Sequence, residues 1–210
     1  MKIKDYRLFL ESKISIGEKH TIDYICKKYD IKNYTINDDG TVDVDGDVNL
    51  NYSGLTKLPL KFGKVTGYFT CADNKINSLE GSPYWVGGYF TCSYNNIKSL
   101  KGCPKYIGGS FSCSYNQLKT LEGGPETVLL DYYCRNNQLI NFKGFPDDFD
   151  RYSNFDGNII NNILTNIPSD KENKFIYWCN EFDAIDDNGE VIPERMEEVY
   201  NKLGLEYNED

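Results

Sequence analysis

Seven cysteines, one histidine and a run of aspartates are the residues of this 210-residue chain best equipped for chemistry. Cys71, Cys92, Cys113 and Cys134 recur every 21 residues. A single file of thiols is not the tetrahedral grouping that zinc needs, and no Cys-x-x-Cys pair is present. Neighbouring strands come close enough for disulfides. A reduced thiol, however, behaves as a small apolar side chain that suits a narrow interior. The ladder therefore reads as a core stripe, and Cys103, which stands off the register, is expected to be the exposed thiol.

The other candidates are weaker. His20 is the only histidine, so a multi-histidine metal site and a histidine-based nucleophile system are excluded. Asp43-Val44-Asp45-Gly46-Asp47 is spaced partly like a calcium loop, but Val48 and Gly54 stand where that loop needs a glycine and a bidentate Glu. These carboxylates are expected to lie exposed on a hairpin. The Gly-Gly pairs have no Lys-Ser/Thr after them, so no phosphate loop is present. The chain is expected to be no enzyme and to hold no metal or cofactor.

The cysteine interval marks a repeat that sets the architecture. Phe69-Thr70-Cys71, Phe90-Thr91-Cys92, Phe111-Ser112-Cys113 and Tyr132-Tyr133-Cys134 are followed by Asn74, Asn95, Asn116 and Asn137. Then come Ile76, Ile97, Leu118 and Leu139, next Leu79, Leu100, Leu121 and Phe142, and finally a Gly-x-Pro beginning at Gly81, Gly102, Gly123 and Gly144. The frame reaches back to Val48 and forward to Pro168, about six rungs. Aromatic-polar-Cys alternates with period 2, which predicts a short strand with Phe and Cys on one side. Strands at a fixed interval without hairpin turns stack in parallel as a repeat solenoid. The asparagine is expected to bond turn backbone that the ladder leaves unpaired. Gly and Pro then shape an extended return with no room for a full helix.

Phe90-x-Cys92-x-x-Asn95-x-Ile97-x-x-Leu100 resembles the leucine-rich repeat, with Phe and Cys at two of its leucine positions. The endings Val86-Gly87-Gly88 and Ile107-Gly108-Gly109, and the lead-in from Tyr34 to Gly46, are similar to short-repeat proteins of tailed phages and some bacteria. Val128-Leu129-Leu130 departs from that ending. The resemblance implies an α+β leucine-rich-repeat horseshoe with a parallel β-sheet on its concave face. It also implies a protein-binding role, with a host protein as partner, inhibited or redirected during infection.

Three regions follow: an N-terminal cap (1–47), the solenoid (48–168) and an acidic C-terminal cap (169–210). Helices are expected around Asp5–Glu11 and Thr21–Tyr29, separated by Ile16-Gly17, before a hairpin turn at Asn37-Asp38-Asp39-Gly40. Ser169-Asp170-Lys171-Glu172 reads as a capping box opening a helix to about Phe182. A turn at Asp186–Gly189 and a helix from Pro193 to Leu203-Gly204 follow.

The net charge of −9 argues against direct nucleic-acid binding. No apolar run is long enough for a membrane span. A charged start and an odd cysteine count fit a cytoplasmic, reduced protein. Residues 183–210 hold ten acids against Arg195 and Lys202, while the repeat body is nearly neutral. That acidic segment is either a solvated face or a docking element and nucleic-acid mimic toward a basic host protein.

With Phe and Cys inward, the outward row offers Tyr68, Tyr89, Thr91, Ser93, Ser112, Asp131, Tyr133, Arg135 and Tyr152, with Tyr94 and Tyr115 just beyond the strands. Rigid tyrosines among small hydroxyl side chains resemble a paratope. Stacking that merely stabilises the sheet is the competing reading. These eleven residues are the expected partner-binding set.

Overall fold

The structure, a computed structural model, describes residues 15–207. The helix expected at Asp5–Glu11 lies outside them. The described chain begins with α1 (Ile16–Lys28), whose N-cap is Ser15. The Ser15 hydroxyl accepts from the Glu18 N–H, and the Glu18 carboxylate accepts from the Ser15 N–H, a closed capping box. Gly17 is therefore in the first turn of the helix and does not interrupt it.

Antiparallel β1 (Tyr34–Ile36) and β2 (Val42–Val44) form the expected hairpin. From there the chain winds as a parallel β-solenoid. One strand of each turn stands at the expected position, an aromatic-led pair in four of the six: β3 (Val48–Asn49), β5 (Phe69–Thr70), β7 (Phe90–Thr91), β9 (Phe111–Ser112), β11 (Tyr132–Tyr133) and β12 (Ser153–Asn154). These stack in register, Phe69 on Phe90 and Phe90 on Phe111, as sheet B. The return segment holds a second strand: β4 (Phe62–Val65), β6 (Trp85–Val86), β8 (Tyr106–Ile107) and β10 (Thr127–Val128). They continue parallel from β2 and complete sheet A, also six-stranded.

Between the sheets lies one core. Sheet B supplies Phe69, Phe90, Phe111, Tyr132 and the four laddered cysteines, and sheet A supplies Val65, Val86, Ile107 and Val128. The Phe69 and Phe90 rings stack 5.5 Å apart. Each fully buried Phe adds about 1.5–3 kcal/mol by leaving water. All seven cysteines are free and buried, so the core-stripe reading holds. Cys103 is only 5% exposed, which corrects the expectation of a surface thiol: its side chain turns inward beneath the Gly-x-Pro corner.

The asparagines close the turns. Asn116 Nδ2 donates to the carbonyls of Cys113, 3.0 Å away in its own rung, and Cys92, 3.1 Å away in the rung before. Its Oδ1 accepts from the Ile97 N–H at 3.0 Å. Asn74, Asn95, Asn137 and Asn158 repeat this clip, so each rung is bonded to its predecessor at the corner. At the opposite corner a Cβ on Gly87 would stand 2.2 Å from the Thr66 carbonyl oxygen, and one on Gly108 2.2 Å from that of Gly87. Only glycine allows so close a stack. Where Leu129 and Leu130 replace the pair, the rung-to-rung bonds lengthen to 3.1 and 3.3 Å, from 2.9 Å at Gly108 and Gly109. Among the described residues, no further strand of sheet A follows.

After β12 come α2 (Asn161–Leu164), α3 (Glu172–Glu181) and α4 (Pro193–Leu203). The expected capping box at Ser169 does not form: Lys171 is the N-cap of α3 and makes no side-chain cap bond. Instead Lys171 Nζ donates to the Leu203 carbonyl at 2.8 Å, tying α3 to the end of α4. Met196, Val199 and Leu203 bury one face of α4, and Gly204 ends it in the left-handed conformation at φ 63°. The turn at Asp186–Gly189 is present, flanked by an Ile185–Val191 bridge. Among the described residues, no helix is long and apolar enough to cross a membrane.

Candidate functional site

The outer face of sheet B is built from rows 21 residues apart, because the strands pair in register. One row runs Asp47, Tyr68, Tyr89, Ser110, Asp131, Tyr152. Two residues along each strand, the next runs Asn49, Thr70, Thr91, Ser112, Tyr133, Asn154. Tyr68 and Tyr89 stack with centroids 4.7 Å apart and planes 8° from parallel. Tyr133 leans edge-on against Tyr152 at 6.0 Å and donates its hydroxyl to Asp131 Oδ2 at 2.9 Å. That hydrogen bond holds the Tyr133 phenol above its ordinary pKa.

A second aromatic pair stands where the strands end. Tyr94 and Tyr115 stack at 4.2 Å and 10°. Arg135 Nη2 donates to the Tyr115 hydroxyl at 2.6 Å, while its guanidinium lies 5.3 Å from the ring centre. The donated bond pulls the Tyr115 phenol below its ordinary pKa; desolvation pushes that of Tyr94 up.

Both tyrosines sit in the left-handed backbone region, Tyr94 at φ 56° and Tyr115 at φ 57°. The same turn recurs at Tyr52, Asp73 and Asn136, with φ between 52° and 55°, and at Gly157. Asp, Asn and Gly are the residues that tolerate this conformation, whereas a tyrosine there costs about 1–2 kcal/mol. The types at Asp73, Asn136 and Gly157 are the sequence signal for it.

Of the eleven expected residues, Tyr89, Tyr94, Arg135 and Tyr152 are exposed and Tyr68, Thr91, Ser112, Tyr115, Asp131 and Tyr133 half-buried. Ser93 is buried: its hydroxyl accepts from Thr91 Oγ1 at 3.2 Å and lies 2.8 Å from that of Ser112. Ser112 reaches on to Ser114 at 3.4 Å. These hydroxyls form a low floor between the aromatic pairs, and they bond to each other more than they face outward. Ser93 is a floor residue that outward counting along the strand placed at the surface.

The aspartates near the hairpin also find partners. Asp43 accepts from the Lys64 N–H at 2.7 Å, Asp45 from the Thr66 hydroxyl at 2.8 Å, and Asp47 from the Tyr68 N–H at 2.9 Å. Each partner stands 21 residues later, so the three carboxylates pin the first turn to the second.

Sheet A carries a ladder that the sequence reading passed over. Trp85 and Tyr106 stack at 5.5 Å and 1°, with Lys64 Nζ 4.3 Å from the Trp85 ring centre. Their 21-residue spacing, aromatic before Val86 and Ile107, was the available signal. Compared with known protein families, curated proteins and solved structures, the chain matches none of them.

Proposed function

We propose that the chain is a non-enzymatic, protein-binding module of leucine-rich-repeat type, binding its partner through the outer face of sheet B. In this reading that face is the concave side of a short horseshoe, closed by the N-terminal helix and hairpin and by the C-terminal α/β segment. The phage resemblance makes the partner a host protein in the cytoplasm, inhibited or redirected by the binding.

One observation carries the proposal: Tyr94 and Tyr115 occupy a strained left-handed turn that asparagine would fill more cheaply, with Tyr94 49% exposed and Tyr115 half-buried there. One stack worth about 0.5–1.5 kcal/mol does not return the strain of two tyrosines at about 1–2 kcal/mol each. Tyrosine and arginine are also the side chains enriched at binding hot spots.

Affinity capture from bacterial lysate, run in parallel with the wild type and a folded Tyr94→Asn/Tyr115→Asn variant, tests the reading. A partner enriched by the wild type and lost with the variant supports it. Identical captured sets would refute it.

A second reading makes the acidic C-terminal segment the effector. Glu194, Glu197 and Glu198 all face solvent on α4, opposite its buried Met196 and Val199. Cutting the chain after Phe182 would remove buried core along with charge, so Glu194→Gln/Glu197→Gln/Glu198→Gln is the sharper test. Loss of capture in that variant alone would favour the acidic segment.

A further inference from the structure

We propose that the gap above Ser110, between the ring of Tyr89 and the carboxylate of Asp131, receives an arginine or lysine side chain of the protein partner. The inference rests on sheet B being the binding face, and it specifies the chemistry of what binds there. Tyr89 spends one ring face on Tyr68. Its other face looks along the row toward Ser110, whose side chain is too short to cover it, and Tyr89 remains 43% exposed. Beyond Ser110 comes Asp131, whose Oδ2 is engaged by Tyr133 and whose backbone N–H donates to Ser110 Oγ at 3.3 Å. Tyr89 and Asp131 are two rungs apart, roughly 9.6 Å at strand spacing, which leaves a planar cation one rung of room on each side.

The chain contains its own template for such a contact. In the neighbouring aromatic pair the second face of Tyr115 is taken by Arg135, 5.3 Å from the ring centre. Tyr94–Tyr115–Arg135 is thus a complete stack of two rings and a cation, and Tyr68–Tyr89 is the same stack without its cation. A cation over an aromatic face is attracted by the ring quadrupole, and a carboxylate on its far side adds to that attraction.

Charge over the whole face points the same way. Its rows carry Asp47, Asp73, Asp131 and Asp156 against Arg135 alone. All nine lysines between Val48 and Lys143 lie on sheet A or on the turns. A nearly neutral repeat body is therefore polarised, and the face that lacks lysine would attract a basic partner surface.

The probe is acetyl-Gly-Arg-Gly-amide, titrated into the full chain by two-dimensional NMR, with the lysine and citrulline peptides alongside. The arginine peptide is expected to shift the amides of Tyr89, Ser110 and Asp131, with an affinity on the order of millimolar. Citrulline keeps the shape without the charge and should leave those amides unmoved. Tyr89→Ala and Asp131→Asn should each weaken binding by about two- to fivefold. Ser110→Arg should fill the gap from within and abolish the shifts while the fold, read from the remaining amides, is kept. Equal shifts with citrulline, or none with arginine, would overturn the proposal. If the arginine peptide binds as described but captured partners ignore Tyr94→Asn/Tyr115→Asn, the gap stands and the wider binding-face reading fails.

Discussion

The Tyr132 hydroxyl occupies space left open by Gly124: a Cβ on Gly124 would stand 3.4 Å from it. Earlier rungs have the short ring and the longer neighbour, Phe69, Phe90 and Phe111 in the column and Ser82 and Cys103 at the Gly-x-Pro position. Beside Gly124 the ring gains an oxygen where the neighbour has no side chain, so the hydroxyl finds room but no hydrogen bond. The Tyr132 hydroxyl is fully buried and has no hydrogen-bond partner among the described residues. Tyr132→Phe should therefore raise stability by about 1 kcal/mol, since an unsatisfied buried hydroxyl is removed without changing the packing. Gly124→Ala should lower it by about 1–3 kcal/mol, because the new methyl also meets the Leu121 carbonyl at 2.9 Å and Leu100 Cδ1 at 3.1 Å. Urea unfolding of both variants checks this, and a less stable Tyr132→Phe would show that the hydroxyl has a partner after all.

The asparagine clips set the next expectation. Asn116 is buried and serves the Cys92 and Cys113 carbonyls and the Ile97 amide at once. Asn116→Ala strands the Ile97 N–H and takes one of two amide donors from each carbonyl, since Asn95 still serves Cys92 and Asn137 still serves Cys113, and should cost about 1–3 kcal/mol. Asn116→Asp keeps the acceptor for Ile97 but aims a carboxylate oxygen at two carbonyls. At neutral pH it should be the worse of the two. Burial among carbonyls would raise that new carboxyl's pKa in the folded state, so the native form takes up the proton more readily. Stability should then recover as pH falls through the raised value, while Asn116→Ala shows no such recovery. Thermal melts at pH 7 and pH 5 distinguish them.

Much of this fold is legible in the sequence, because the 21-residue unit that carries it is written four times. Phe, Cys, Asn and Leu each have one job per turn, and the strand, the clip and the core follow from side-chain size and hydrogen-bonding capacity. The second sheet was harder to read. Trp85-Val86, Tyr106-Ile107 and Thr127-Val128 show only a two-residue alternation, too short to separate from an extended return until stacking pairs the copies. Asp43, Asp45 and Asp47 looked like idle hairpin carboxylates because their partners are 21 residues away, a relation visible only when the repeat frame is carried back past Val48. At the candidate face, alternation placed the tyrosines correctly. It could not show that a serine between two stacks of rings, such as Ser93, is buried against the hydroxyls of Thr91 and Ser112.

The tyrosine stack at the turn separates structural from functional demand. Tyr94→Asn and Tyr115→Asn each relieve left-handed strain of about 1–2 kcal/mol while losing a stack of about 0.5–1.5 kcal/mol. The net change in stability should lie between a loss of about 0.5 and a gain of about 1.5 kcal/mol. Partner affinity should fall by at least about tenfold, as for loss of an aromatic hot spot. A large drop in the unfolding midpoint would instead mean that the rings serve the fold.

The thiol stack makes stability pH-dependent on the alkaline side. Burial pushes Cys71 up to about 12, and Cys92, Cys103, Cys113 and Cys134 well above the ordinary thiol value. Cys26, pushed up by burial and by the nearby Asp23, reaches about 11. In the unfolded chain the same thiols ionise near pH 9, the ordinary thiol value. The native state therefore holds its protons more tightly: this stability is complete below about pH 9 and is lost as pH rises toward the folded values. The unfolding free energy should fall by up to about 1.4 kcal/mol per pH unit for each buried thiol that ionises only on unfolding. Cys92→Ala/Cys113→Ala should flatten that slope by two thiols' share even though the cavities lower stability at pH 7. Urea titrations at pH 7, 9, 10 and 11 measure it. Native thiols should also resist a thiol-exchange reagent until the chain opens, Cys103 included, because all seven are buried. A flat slope, or one fast-reacting thiol in the folded protein, would show that the cysteine column is open to water.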